Sequence, residues 1–208
     1  MANLHFDMTD HQFIPLARPW LDEQEQAAVR RVLDTGILSR GVELEGFEQG
    51  MAAAAGTRAA VGVNSGTTAI QLALEALEIG PGDEVITVSF TFVATLNAIA
   101  RCGARAHLVD IDKNTLNIDP DAIESAIGPH TRALLVVHLF GRLAPMEKIL
   151  AIAARHGLPV IEDACEALGA ERNGQRAGGF GEAGTFGFYP NKPVATGEGG
   201  MITSNNSE

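Results

Sequence analysis

A chain of 208 residues, 46% hydrophobic and 20% charged, carries enough apolar side chain to offset its conformational entropy, and its length allows one large domain or one and a fraction. Asp and Glu outnumber Lys and Arg by 26 to 15, and the formal charge of −11 repels phosphate backbones, which excludes nucleic acid as a partner. No apolar run approaches the roughly 20 residues of a membrane span and residues 1–11 lack the apolar core of a secretory leader, so a cytoplasmic protein without a membrane partner is expected.

Residues 1–13 are polar and aperiodic and read as a flexible tail, followed by an extended arm from Ile14 to Trp20. Asp22 to Leu33 carries apolar residues at helical spacing behind an N-cap Asp22 with Glu25 three residues on, and Gly36 stops that helix. Val42 to Ala55 repeats the helical pattern, so 14–57 is read as an amino-terminal helical segment. From residue 58 the pattern changes. Strand-like runs at Ala59–Val63, Glu84–Val88, Ala106–Val109, Ala133–Val137 and Pro159–Ile161 alternate with helix-like stretches at Thr67–Leu77, Ala94–Cys102, Pro120–Ile127 and Pro145–His156. Strands this continuously apolar are covered on both faces, which predicts a three-layer α/β/α domain over 58–208 around a mixed, mainly parallel sheet. A polar hairpin around Asn173-Gly174 and two more strands, Thr185–Tyr189 and Gly200–Thr203, complete the chain.

Several segments have the composition of a site. Val61 to Thr68 joins a strand to a helix through small residues, which would leave the amides of Ser65, Gly66, Thr67 and Thr68 free to bind a phosphate, or else forms an ordinary capped turn. Gly179 to Gly184 spells a dinucleotide fingerprint, but a strand-like rather than helical stretch follows it, so the match is set aside. Glu162 and Asp163 close an apolar strand at the ligand-bearing edge of an α/β sheet, where Asp163 either pairs with a cationic ring nitrogen or caps the segment that follows. His138 also closes a strand, and either faces that edge or is a satisfied core histidine.

Lysine occurs only at 113, 148 and 192. Lys113 lies in a turn and Lys148 on a helix surface, whereas Lys192 sits in a loop dense in Pro and Gly that could fix an amine for Schiff-base chemistry or simply expose it. The six histidines show no zinc spacing, so no metal is expected. The two cysteines, Cys102 and Cys165, are too few for a disulfide framework and read as reduced thiols.

Taken in order, Ser65-Gly66-Thr67-Thr68, Pro81 to Ile86, Ser89 to Thr95, Val136 to Gly141, Ile161 to Ala170 and Asn191-Lys192 with Gly197 to Gly200 resemble the DegT/StrS family of sugar aminotransferases. The family uses pyridoxal 5′-phosphate (PLP) on the fold of the aspartate aminotransferase superfamily. The resemblance implies that Lys192 binds PLP covalently and moves the proton, and that Asp163 keeps the pyridine nitrogen protonated. Ser65, Gly66 and Thr67 would receive the phosphate, and Phe92 would stack on the ring. It further implies transfer of an amino group from an amino acid, glutamate, to a keto sugar carried on a nucleotide, within a homodimer.

Two positions depart from the commoner pattern. Glu166 stands where many members have Gln beside the ring hydroxyl, and Gly187 where many have a Ser on the phosphate, a hydrogen bond worth about 1.5–3 kcal/mol. Members also continue into a smaller carboxyl-terminal domain, so the chain is expected to be truncated and to expose apolar surface. The dehydratase branch of the family replaces the lysine with His, which Lys192 argues against. A ketocyclitol acceptor, or a non-catalytic regulatory or truncated protein, are the remaining alternatives.

Overall fold

The computed structural model describes residues 14–15 and 17–206, so the tail expected over 1–13 lies outside the described residues. Asp22 opens α1 (Glu23–Thr35) with the capping box that the sequence predicts: its carboxylate accepts from Gln24 N at 2.7 Å, and Glu25 accepts from Asp22 N at 2.8 Å. Gly36, at φ 70°, ends the helix in the left-handed conformation that glycine adopts without strain. No residue of α1 is buried, whereas α2 (Val42–Ala55) packs Met51, Ala52 and Ala55 inward.

The α/β part follows as β1 (Ala59–Val63), α3 (Gly66–Ala76), β2 (Glu84–Val88), α4 (Ala94–Arg101), β3 (Arg105–Val109), α5 (Pro120–Ala126), β4 (Thr131–Val137), α6 (Met146–His156) and β5 (Val160–Asp163). A two-strand hairpin, β6 (Glu171–Arg172) and β7 (Gln175–Arg176), turns at Asn173-Gly174 before β8 (Ala183–Gly187) and β9 (Gly200–Ser204). Seven strands form one sheet in the order β1-β9-β8-β5-β4-β2-β3. Only β9 runs against the others, pairing antiparallel with both β1 and β8. The mixed, mainly parallel sheet is therefore as expected.

Its central strands are buried on both faces. Ile86, Leu134, Val136 and Val160 meet Ile123, Met146 and Ile149 on one side, while Val85, Leu135, Ile161 and Ala183 meet Ile70, Leu74, Ala98 and Ile99 on the other. At about 25 cal/mol per Å² of apolar surface, these two layers supply the main drive for folding. The outer strand β1 is covered by α2, where Glu48 Oε1 accepts from Gly62 N at 2.8 Å and occupies an edge amide that could otherwise pair with another chain.

Three strands differ from the sequence reading by two residues, β4 by opening at Thr131, and β5 and β8 as follows. β5 extends two residues past Ile161, because Glu162 and Asp163 are buried with partners although their charge ends the apolar signal. β8 starts and ends two residues early, since Glu182 N already donates to Val160 O at 2.8 Å and brings the strand into register from Ala183.

Candidate active site

The pleat of β5 sends its two terminal acids to opposite faces of the sheet. Glu162, fully buried, accepts four hydrogen bonds: Phe180 N and Gly181 N on Oε1 at 2.7 and 2.8 Å, and Gly178 N and His138 Nε2 on Oε2 at 2.9 and 2.8 Å. His138 Nδ1 accepts from Ala144 N at 3.2 Å, which places its ring proton on Nε2. His138 is thus a satisfied core histidine, and Glu162 pins the turn that leads into β8.

Asp163, 6% exposed, points the other way. Its Oδ2 accepts from Thr95 Oγ1 at 2.8 Å, and its Oδ1 accepts from Cys165 N at 3.3 Å. No helix follows Asp163; residues 164–169 form turns, so the helix-cap alternative for this carboxylate does not hold.

Ser65 is the N-cap of α3, its Oγ accepting from Thr68 N at 3.1 Å while Ala69 N donates to Ser65 O. The four-amide expectation is corrected accordingly. Thr68 spends its amide on the cap, and Gly66 and Thr67 are left at the positive end of the helix, on the cavity wall. The turn is pressed onto its neighbours: a Cβ on Gly66 would lie 3.0 Å from Cys165 Sγ and 3.1 Å from Gly187 Cα.

Lys192 lies between β8 and β9, in a loop whose base is tied by Phe188 N to Gly199 O and by Thr196 N to Phe188 O, both at 2.9 Å. Its side chain is 17% exposed, with Nζ 3.6 Å from Glu166 Oε1. Lys113 and Lys148 are both exposed. Glu166 also accepts from Phe140 N at 3.0 Å through Oε2. Phe140 is held at φ 52°, a strained region for an aromatic residue. Cys165 is the other potential nucleophile here, but burial and the adjacent Asp163 carboxylate push its thiol well above the usual range. Protonated, it is a poor nucleophile.

One cavity of about 350 Å³ is bounded by Ser65, Gly66, Thr67, Phe92, Asp163, Glu166 and Lys192. Residues from four separate stretches of sequence thus converge on the carboxyl edge of β5 and β8. Phe92 is 70% exposed and stands on the cavity wall. Gly179 to Gly184 runs through a turn into strand β8, in agreement with its dismissal as a dinucleotide site. Thr91, Thr95 and Phe140 were not singled out from the sequence. Thr91 precedes α4 and Thr95 lies in its first turn, so no helical spacing in the sequence pairs the two hydroxyls that the fold brings together.

The DegT/DnrJ/EryC1/StrS aminotransferase family model matches residues 19–208. GDP-perosamine synthase of Caulobacter vibrioides is 46% identical over 202 residues, covering 97% of this chain and 54% of that protein. Among solved structures, the aminotransferase from Psychrobacter cryohalolentis superposes with a TM-score of 0.89 at 37% identity, over 93% of this chain and 49% of that one. DesV of S. venezuelae, solved in complex with a ketimine intermediate, gives 0.84 at 43% identity, over 92% of this chain and 54% of that one. The chain spans about half the length of the curated relatives it matches. The resemblance carried by the motifs is borne out: the chain belongs to the DegT/DnrJ/EryC1/StrS aminotransferase family, whose cofactor is PLP.

Proposed function

We propose that this chain forms the cofactor-binding part of an aminotransferase that moves an amino group from an amino acid, glutamate, to a nucleotide-linked keto sugar for polysaccharide or amino-sugar synthesis. The observation that carries the reading is the convergence of an amine, a buried carboxylate and an open helix start on one cavity. These features suit a flat cationic ring with a phosphate at one end, so the residues present fit PLP. When bound, PLP supplies an electrophilic carbonyl carbon and a ring that draws electrons from the reacting carbon.

The chain's own residues would divide the remaining work. The amides of Gly66 and Thr67, with the α3 dipole behind them, bind the phosphate dianion, and Ser65 holds that turn in shape. The Asp163 carboxylate would hold the ring nitrogen and supply the negative charge that keeps a proton there. Phe92 covers a ring face and excludes water from it. Lys192 Nζ would take a proton from the substrate carbon and deliver it to the cofactor carbon, which requires the free amine, and Glu166 Oε1, 3.6 Å away, would pair with the ammonium while it carries that proton. The segment 14–57 and the domain 58–208 would then work as one subunit of a homodimer in the cytoplasm.

Adding PLP to the chain, reducing with borohydride and mapping the modified peptide by mass spectrometry tests the assignment. Label on Lys192, absent in Lys192→Ala, is the expected result; label on Lys113 or Lys148 instead overturns it.

A further inference from the structure

Asp163 does not stand alone on its strand. Thr95, in the first turn of α4 and wholly buried, places its hydroxyl 2.8 Å from Asp163 Oδ2 across the sheet edge, and the Thr91 hydroxyl lies 2.7 Å from that of Thr95. A carboxylate only accepts, so the Thr95 proton is committed to Asp163, and the Thr95 oxygen then accepts from Thr91. The relay has one sense, from Thr91 on the cavity wall, through Thr95, to the carboxylate.

Burying a hydroxyl at this position has a cost that valine, of nearly the same shape, would avoid. Thr95 packs in the first turn of the helix that also contributes Ala98 and Ile99 to the apolar layer. Its backbone amide donates to Phe92 O at 3.1 Å, so the same residue ties down the turn that presents the Phe92 ring. With Cys165 N on Oδ1, the two donors restrain rotation of the Asp163 carboxylate and leave its other lone pairs to the cavity.

We propose that Thr95, oriented by Thr91, is a positioning residue that fixes the Asp163 carboxylate against the pyridine nitrogen of PLP. The proposal rests on the reading of Asp163 given above. Thr95→Val removes the donor at constant shape, and Thr95→Ser keeps it. Binding of PLP to the 208-residue chain is measured by absorbance titration, together with the pH at which the bound cofactor changes its absorption band and the thermal midpoint without PLP.

Thr95→Val is expected to weaken PLP binding about tenfold, the size of one hydrogen bond to a charged acceptor, and to move the pH of the absorbance change. Thr95→Ser restores both, and the thermal midpoint without PLP stays near that of the unaltered chain. If Asp163→Ala abolishes binding while Thr95→Val binds PLP like the unaltered chain with the same absorbance profile, the role of Thr95 is overturned and that of Asp163 stands. If Thr95→Val weakens binding only in step with a lowered midpoint and Thr95→Ser does not rescue it, Thr95 is merely structural. If the unaltered chain takes up no PLP, or Asp163→Ala binds it as well as the unaltered chain does, the reading of Asp163 falls and this one with it.

Discussion

Replacing Glu162 with Gln tests how much of the sheet edge hangs on one buried carboxylate. Whichever way the amide is turned, its NH₂ faces two donors, either Phe180 N and Gly181 N, or Gly178 N and His138 Nε2. Two hydrogen bonds to a charged acceptor are lost, about 3–6 kcal/mol at about 1.5–3 each. Burying a neutral amide instead of a carboxylate returns part of that through lighter desolvation. A net loss of about 2–4 kcal/mol remains, a large share of the roughly 5–15 kcal/mol that holds a domain together. Urea unfolding followed by far-ultraviolet circular dichroism reads it directly: with a slope of about 2 kcal/mol per molar, the midpoint should fall by roughly 1–2 M. An unchanged slope with a midpoint shift below roughly 0.3 M would refute the reasoning, because Glu162 would then be no more than a replaceable polar contact.

Gly187 has room for a side chain: a Cβ there would lie 3.4 Å from Cys165 Sγ and 3.5 Å from Gly66 Cα, ordinary contact distances. Gly187→Ser should therefore be tolerated and tighten PLP binding by about tenfold through an added hydroxyl on the phosphate, as measured by titration. Gly200 has no such room, since a Cβ would come within 2.3 Å of Ser65 O. Gly200→Ala should displace the α3 turn and weaken binding of PLP and of inorganic phosphate alike, whereas undiminished phosphate binding would contradict the packing argument. At the opposite edge of the sheet, the hydrogen bond with His107, helped by Arg105, holds the Glu84 carboxyl below its usual range. A carboxyl depressed in the folded state contributes fully above its unfolded range and loses that contribution as pH falls through the folded value. The stability advantage over Glu84→Gln should accordingly shrink on acidification, as thermal melts across a pH series would report.

Local chemistry made much of the fold legible, because each signal lies within a few residues of its effect. The Asp22 capping box, Gly36, the Asn173-Gly174 turn and the apolar runs of β1 and β2 all act over short stretches of sequence. Candidate site residues were legible where a residue type is rare or misplaced, as with Lys192 among three lysines and Asp163 closing an apolar strand. What escaped depends on distance in sequence or on conformation. Nothing near Thr95 announces a carboxylate 68 positions away, and nothing around Phe140 signals a left-handed backbone held by Glu166. Asp163 was legible as the acid at the ligand edge, but the role of Glu162 was not, because its loop anchors lie 16 to 19 residues further along the chain.

The reversed strand β9 also bears on the order in which the molecule assembles. Pairing Ala59 with Ser204 joins strands far apart in sequence, and closing so long a loop is among the entropically slowest steps open to the chain. The turn at Ser65 leaves the end of β1 and the loop of Lys192 feeds the start of β9, so that late closure is also what brings Ser65 against Gly200. Partly folded forms would hold their helices and central strands with the anion turn and the amine still apart. Reactivity toward an aldehyde cofactor would then arise with completion of the sheet, and not before it.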